Sequence, residues 1–150
     1  MPTILIDADA CPVKDETYRV AKRYGLKVIL VSNTWIRIPN EDWLEQKVVN
    51  DHPDAADDWI AETTTQNDIV ITADIPLAGR CLDKDAHAIS PRGRLFTQDI
   101  IGEALANREL RSQLRDMGIQ TGGPPPFTKQ DRSHFLQRLD QTIQAIQRQK

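Results

Sequence analysis

The chain has 150 residues, of which 39% are hydrophobic and 27% are charged, and its formal net charge is -3. A chain of this length buries roughly two thirds of its unfolded surface, so the composition predicts one globular domain over residues 1–150. No apolar run reaches the roughly 18 residues of a membrane helix, there is no signal-peptide pattern, and two cysteines are too few for a disulfide framework. We therefore expect a cytoplasmic protein without membrane contacts, in which nucleic-acid binding would require a local basic patch.

The first predicted strand, TILID (3–7), ends in Asp7, and Asp9 follows two residues later. Side chains alternate along a strand, so the two carboxylates share a face about 6 to 7 Å apart if the extended geometry persists. Carboxylates at that separation require a cation, a shared proton or ample water. The alternative is that one of them caps the helix predicted to begin near Pro12, although a cap needs only one aspartate.

Apolar residues at helical spacing between residues 13 and 24 predict a first helix, and the run LKVILVS (26–32) predicts a second strand. Strands that alternate with helices form a mostly parallel sheet covered on both faces. The pattern therefore predicts a doubly wound α/β fold whose ligands bind at the carboxyl ends of the strands. The same order of elements repeats in the segments 54–64 (helix), 69–72 (strand, IVIT), 76–82 (helix) and 87–90 (strand, HAIS).

The last third of the chain is predicted to be helical. Apolar spacing predicts one or two helices between residues 100 and 117, and GIQTGGPPPFT (118–128) predicts a Gly/Pro linker after them. The final segment, 129–150, carries five basic and two acidic residues, so this C-terminal helical extension either packs one face on the domain or grips nucleic acid. Its predicted cap is Thr128, and its apolar stripe comprises Phe135, Leu136, Leu139, Ile143 and Ile146.

Acidic residues cluster where predicted strands end or where the helices between them begin. A group of carboxylates without His or Cys selects Mg²⁺ or Mn²⁺, and such ions activate water and neutralise phosphodiesters. Each aspartate also suits a helix cap or a helix dipole, as Asp74 would after the strand IVIT. The candidate metal ligands are Asp7, Asp9, Asp54, Asp57, Asp58 and Asp74.

Several segments carry a resemblance to a known family. The strings DADACP, QNDIVITADIPLA, SPRG and GIQTGGP resemble the YaiI/YqxD family of small bacterial proteins, relatives of PIN-domain nucleases. The resemblance extends over nearly the whole chain and implies a PIN-like form of the α/β fold. It also implies a metal-dependent nuclease site at the carboxyl edge of the sheet.

The site residues follow from the PIN pattern, position by position. A PIN domain has an aspartate at the end of strand one, an acidic residue in a helix of the form D-x-x-I-A, and an aspartate in T-x-D after a later strand. The resemblance implies that Asp7, then Asp57 or Asp58, and then Asp74 fill these positions. Asp9 belongs to the family's own string, so the implied catalytic group is Asp7, Asp9, Asp57 and Asp74.

Two departures from the pattern stand out. His52 occupies a position, two residues before Asp54, where the family has glycine. The glutamate that PIN domains carry in the helix before strand two has only loose counterparts here, Asp15 and Glu16. Both departures bear on whether the metal site is occupied and active.

Candidates for substrate binding lie in the loops near the same edge. Arg92 and Arg94 offer donors to a phosphate, or belong to a solvated turn. Asn33 is either a neutral ligand or a turn residue, and Thr72 is a further candidate. Trp35 either stacks on a base or, as is more common for a loop tryptophan, fastens its loop to the core.

Three functions fit these patterns. The first is a Mg²⁺- or Mn²⁺-dependent phosphodiesterase acting on single-stranded nucleic acid, with RNA preferred over DNA. The second is a phosphatase of the haloacid-dehalogenase type that uses the Asp7-x-Asp9 pair, although Cys11 stands where that fold has Thr or Val. The third is a non-catalytic nucleic-acid-binding module, because fold alone does not fix function.

Overall fold

The computed structural model describes residues 2–9, 11–116 and 126–149, with only the backbone described at 108–116. Within these ranges the strands alternate with helices, as the sequence predicts, except that two strands follow one another after the first helix and the last two elements are both helices. The strands are β1 (Thr3–Asp7), β2 (Lys27–Ser32), β3 (Leu44–Val48), β4 (Ile69–Ile71) and β5 (His87–Ile89). The helices are α1 (Lys14–Tyr24), α2 (Ala55–Thr63), α3 (Ile75–Leu82), α4 (Gln98–Asp116) and α5 (Lys129–Arg148).

The five strands form one parallel sheet in the order β3-β2-β1-β4-β5. The central strand β1 is apolar throughout its middle because both of its faces are covered, as is usual in parallel sheets. Its Ile6 is in register with Leu30 of β2 and Ile71 of β4. This arrangement confirms the predicted α/β class and is consistent with a PIN-like fold.

Helices cover both faces of the sheet. Ile4 and Ile6 of β1 belong to the apolar cluster with α1 and α5, whereas Leu5 belongs to the cluster with α2 and α3. Helix α4 packs against α3, where Ile101 and Ala78 belong to a third cluster. Because side chains alternate along β1, Asp7 lies on the same face as Leu5, toward α2 and α3.

One strand has no counterpart in the sequence prediction. Strand β3, LEQKV, lies at the edge of the sheet beside β2, with Leu44 in register with Val28. Its Glu45 and Lys47 are exposed, so the segment shows little apolar pattern and does not resemble the buried strands. An ion pair of 3.1 Å between Lys27 and Glu45 joins it to β2.

The start of α1 differs from the capping alternative. The residue at the N-cap position is Val13, and no side chain caps the helix. The interpretation of Asp7 or Asp9 as the cap of this helix is therefore wrong. The two aspartates need another structural reason for their positions.

Helix α5 behaves as its sequence predicts. Thr128 and Asp131 form a capping box at its start, and the helix buries Phe135, Leu139 and Ile143 completely against the sheet. Most of the predicted linker 118–128 lies outside the described residues, which resume at residue 126. In the described ranges, no helix is both long enough and apolar enough to span a membrane.

Candidate functional site

Asp7 lies half-buried at the carboxyl end of β1. Its Oδ2 accepts a hydrogen bond of 2.9 Å from the Thr72 hydroxyl. Burial raises the pKa of Asp7, the bond from Thr72 lowers it, and the negative charges of Asp9 and Asp74 raise it again. The Asp7 carboxylate is thus held in place in an environment that disfavours its own charge.

Thr72 connects the ends of β1 and β4. Its side chain is buried, and its oxygen both donates to Asp7 and accepts a 3.0 Å hydrogen bond from the backbone N–H of Asp74. The one hydroxyl group of Thr72 therefore acts as a hydrogen-bond donor and as an acceptor at the same edge of the sheet. This geometry gives Thr72 a positioning role toward two aspartates.

Asp74 caps α3, as the sequence predicts. Its Oδ1 accepts a hydrogen bond of 2.8 Å from the backbone N–H of Leu77, and Pro76 follows in the first turn. Within the described part of the chain, Oδ2 of Asp74 makes no hydrogen bond. The cap therefore fixes the carboxylate and leaves one oxygen for a ligand.

Asp57 reaches the same edge from the first turn of α2. Burial, together with the negative charges of Asp74, Asp7 and Asp54 and against the positive charge of Arg80, raises the pKa of Asp57 to about 6. The side chain of Asp57 therefore lies close enough to Asp7 and Asp74 for their charges to act on it. We call the group formed by Asp7, Asp57 and Asp74, flanked by Asp9 and Asp54, the acidic edge.

The two neighbouring candidates in α2 have different surroundings. Asp58 points to Arg80, whose guanidinium lies 2.9 Å from Oδ1, and both side chains are about half exposed. Of the two residues that fit the second acidic position of the PIN pattern, Asp57 is the one that the structure brings to the other aspartates. Asp54 is the exposed N-cap residue of α2, and its side chain makes no capping bond.

The donor chemistry of the acidic edge fits a hard divalent cation. All its side-chain donors are carboxylate oxygens, which Mg²⁺ and Mn²⁺ prefer, and they come from three separate elements of the fold. Among the described residues, however, no three His, Cys, Asp or Glu side chains are already arranged as a metal-binding group. Closing a ligand shell thus requires side-chain rotation, which the partly exposed Asp57 permits.

The residues considered as counterparts of the PIN glutamate have other contacts. Glu16 is buried and lies 3.5 Å from Arg132 of α5 and 3.7 Å from Arg19. Asp15 is exposed on α1. Glu16 therefore joins α1 to α5 by an ion pair, and this use is structural.

Strand β2 ends beside β1 and leads into an exposed loop. Asn33 is exposed, and the side chain of Trp35 is 70% exposed. The expectation that Trp35 fastens the loop to the core is wrong, because Ile36, Ile38 and Trp43 pack there instead. Single-sequence reasoning cannot separate these side chains, since all of them are apolar residues of one irregular segment.

Cys11 and Cys81 are both buried and unpaired. Burial raises the pKa of each thiol, so neither is activated as a nucleophile. Cys11 packs in the cluster with α1 and α5, as expected of a small packing residue.

The two arginines of the SPRGR segment lie in the turn after β5. Arg92 donates to Asp131 of α5 at 2.9 Å and to the carbonyl oxygen of Pro126 at 3.4 Å. Arg94 is exposed and, with Arg92, lines a cavity of about 430 Å³ against α5. Arg92 is thus bonded to α5 and to the segment just before it, although β5 ends at the same edge of the sheet as β1 and β4.

Comparison with known proteins gives a family and close relatives. A family model described as the uncharacterized YaiI/YqxD family matches residues 5–145. A UPF0178 protein of Caulobacter vibrioides is 53% identical over 146 residues, covering 97% of this chain and 95% of the relative. UPF0178 proteins of Parvibaculum lavamentivorans and Rhodospirillum centenum are each 55% identical, covering 99% of this chain and 97% and 99% of the relatives. No solved structure shows significant similarity.

Proposed function

Since the chain belongs to the YaiI/YqxD family, whose relatives carry names that state no activity, we propose a function from the acidic edge. The protein is a Mg²⁺- or Mn²⁺-dependent phosphodiesterase, and its substrate is single-stranded RNA. The observation that carries this proposal is that the Thr72 hydroxyl and the α3 cap bring Asp7 and Asp74 together at the ends of β1 and β4, where burial and neighbouring carboxylates raise the pKa of Asp7 and of Asp57. A bound cation would relieve the repulsion among these carboxylates, because opposite charge favours the ionised form of each carboxylate.

The protein's own residues prepare the site for such an ion. Thr72 and the α3 cap hold the carboxylates of Asp7 and Asp74, so these two lose little freedom when they bind a ligand. Asp57 completes the set from the first turn of α2. A divalent cation bound there supplies an activated water and neutralises charge on the phosphodiester.

Two rival functions make different predictions. In a phosphatase of the haloacid-dehalogenase type, Asp7 would attack phosphorus itself and form a phospho-enzyme, with Asp9 as the acid or base. The exposed Asp9 two residues after Asp7 is the feature that favours this alternative. A non-catalytic binding module would retain RNA binding without cleavage.

The test is cleavage of a fluorescently labelled single-stranded RNA by the purified protein with Mn²⁺, Mg²⁺ or EDTA. We expect slow internal cleavage with Mn²⁺, loss of activity in Asp7→Asn and Asp74→Asn, and no activity in EDTA. Asp57→Asn and Asp58→Asn form a matched pair of adjacent residues. We expect the first to lose activity and the second to retain it, because Asp58 is bound to Arg80.

Other outcomes point to the rival functions. A beryllofluoride adduct on Asp7, or rapid hydrolysis of small phosphomonoesters without cleavage of RNA, identifies the phosphatase. Tight RNA binding with no hydrolysis of any phosphoester in either metal identifies the binding module. Either result would overturn the nuclease proposal.

A further inference from the structure

A basic cleft lies between α5, His87 at the start of β5 and residues 92–95 after β5. It consists of two adjoining cavities, of about 430 Å³ and about 480 Å³, which share Arg138 and Gln141. Arg94 lines the first cavity and Arg148 the second. We call this feature the arginine cleft and define it by Arg94, Arg138 and Arg148.

The cleft is fixed by close packing of the turn on α5. Gly93 has φ of 90°, and a Cβ atom built on it would lie 2.5 Å from the backbone carbonyl carbon of His134. Only glycine allows this approach, because any side chain would collide with the helix backbone. Arg138 Nε donates to the carbonyl oxygen of Gly93 at 3.4 Å, and Arg92 binds Asp131 at 2.9 Å. The turn and the helix thus hold Arg94 and Arg138 beside one another.

The charge of the cleft is positive in a protein whose net charge is -3. No Asp or Glu is found among the described residues that line either cavity. The side chains of Arg94 and Arg148 form no hydrogen bond or ion pair with any residue in the described ranges, and both are exposed. Their guanidinium groups are therefore available to an anion, and arginine binds phosphate through two parallel hydrogen bonds.

The remaining lining is mostly polar and uncharged. It includes Gln137, Gln141 and Gln144, whose amides donate and accept hydrogen bonds. Apolar anchors of the kind that dominate protein–protein interfaces contribute little, with Leu95 and Ala145 as the described apolar side chains. Arginine and glutamine in a long groove suit a phosphate backbone better than a folded protein.

The cleft also has the length and the direction of a strand-binding groove. From His134 to Arg148 the helix rises about 21 Å at 1.5 Å per residue, enough for several successive phosphates. One end of the cleft lies at the turn after β5, at the carboxyl edge of the parallel sheet where the acidic edge is also located. The other end, near Arg148 and His87, lies at the start of β5.

We propose that the arginine cleft binds the phosphodiester backbone of single-stranded RNA and leads the strand along α5 toward the acidic edge. The proposal rests on the proposed function, since the bound strand is the substrate of that site. RNA binding in the cleft needs no metal, whereas cleavage at the acidic edge does. Binding and cleavage are therefore separable measurements.

The test is binding of a labelled single-stranded RNA in EDTA, measured by fluorescence anisotropy over a range of salt concentrations. The variants are Arg94→Gln, Arg148→Gln and the double variant. Lys47→Gln is the control, because it removes the same charge from an exposed position on β3, at the opposite edge of the sheet. Thermal melting of each variant checks that it is folded.

We expect each arginine variant to bind several-fold more weakly and the double variant more weakly still. The slope of log affinity against log salt should fall by about 0.7 for each phosphate that the variant no longer neutralises, the value for single strands. Lys47→Gln should match the wild type. Cleft variants that bind RNA as tightly as Lys47→Gln does would overturn the proposal. It would also be overturned if polyglutamate, a polymer of carboxylates, displaced the RNA as readily as inorganic polyphosphate does.

The two proposals fail in different ways. If the cleft variants lose RNA binding but the wild type never cleaves RNA with Mn²⁺, the cleft proposal holds and the nuclease proposal is wrong. If the wild type cleaves RNA and the cleft variants bind and cleave it equally well, the nuclease proposal holds and the cleft proposal is wrong.

Discussion

The Thr72 hydroxyl donates to Asp7 and accepts from the backbone N–H of Asp74, at 2.9 and 3.0 Å, so a single buried oxygen ties together two of the aspartates of the acidic edge. The two aspartates are 67 positions apart in the chain and lie at the ends of adjacent strands. Their spacing therefore depends on the sheet register and on this hydroxyl. The acidic edge is a product of tertiary structure.

Thr72→Val should weaken both the fold and the site. Valine has the same shape but leaves the Asp74 N–H and one Asp7 oxygen without their partner, and an unsatisfied buried group costs about 1–3 kcal/mol. We expect a lower free energy of unfolding by urea and a weaker response to Mn²⁺. Thr72→Ser keeps the hydroxyl and is the control. A Thr72→Val protein as stable as Thr72→Ser would show that the hydroxyl does not tie the aspartates.

Substitutions at Asp74 distinguish its role as the N-cap of α3 from the role of its negative charge in binding metal. Asp74→Asn retains a side-chain oxygen that can accept from Leu77, so α3 should keep its stability. Asp74→Ala removes the cap and should cost about 1 kcal/mol. Both variants should lose the response to Mn²⁺, measured by thermal melting with and without the ion. A metal response that survives in Asp74→Asn would place Asp74 in a capping role alone.

The pH dependence of stability follows from Asp57. Its pKa rises from 3.8 in the unfolded chain to about 6 in the fold, so the folded state binds more protons between these values. The free energy of unfolding therefore falls as the pH rises from about 4 to about 6, and it stays lowered above that range. Asp57→Asn removes the titrating carboxyl group, and with it this decrease in the free energy of unfolding.

Urea unfolding in EDTA at several pH values measures this effect. We expect Asp57→Asn to be more stable than the wild type above about pH 6, and the difference to shrink toward pH 4. Asp58→Asn is the neighbouring control, and it should show no such gain because it removes an exposed ion pair with Arg80. A constant difference between Asp57→Asn and the wild type across the range would contradict the assigned pKa.

Sequence reasoning predicted the architecture because buried parallel strands and amphipathic helices carry strong local patterns. Strand β3 was not predicted, because an edge strand in which Glu45 and Lys47 are exposed shows no regular alternation of apolar and polar residues. The sequence placed Asp7 and Asp74 at strand ends but left Asp57 and Asp58 unresolved. Only the orientation of α2 on the sheet distinguishes these neighbours, and that orientation depends on packing among Leu5, Ile60 and Leu77.

Metal binding should stabilise the fold. An ion bound only by the folded state adds about 2.7 kcal/mol when its concentration is 100 times its dissociation constant. We expect Mn²⁺ and Mg²⁺ to raise the melting temperature of the wild type and to have little effect on Asp7→Asn. In EDTA, Asp7→Asn should melt at a temperature no lower than that of the wild type, because one of several repelling charges is gone.

The control is Asp99→Asn, which removes an exposed carboxylate in the first turn of α4. Equal metal responses in Asp7→Asn and Asp99→Asn would argue against the site.

Trp35 should act as a stacking platform for a base. It is 70% exposed in the loop after β2, the strand beside β1, while neighbouring apolar side chains of the same loop are packed against the core. Base stacking on an aromatic ring contributes about 1–3 kcal/mol per base, so Trp35→Ala should weaken RNA binding about fivefold or more. Single-stranded RNA should also quench tryptophan fluorescence in the wild type. Quenching should disappear in Trp35→Ala and persist in Trp59→Phe, which alters a partly buried tryptophan of α2. If Trp35→Ala keeps both its affinity and its quenching, the exposed ring does not contact the bound strand.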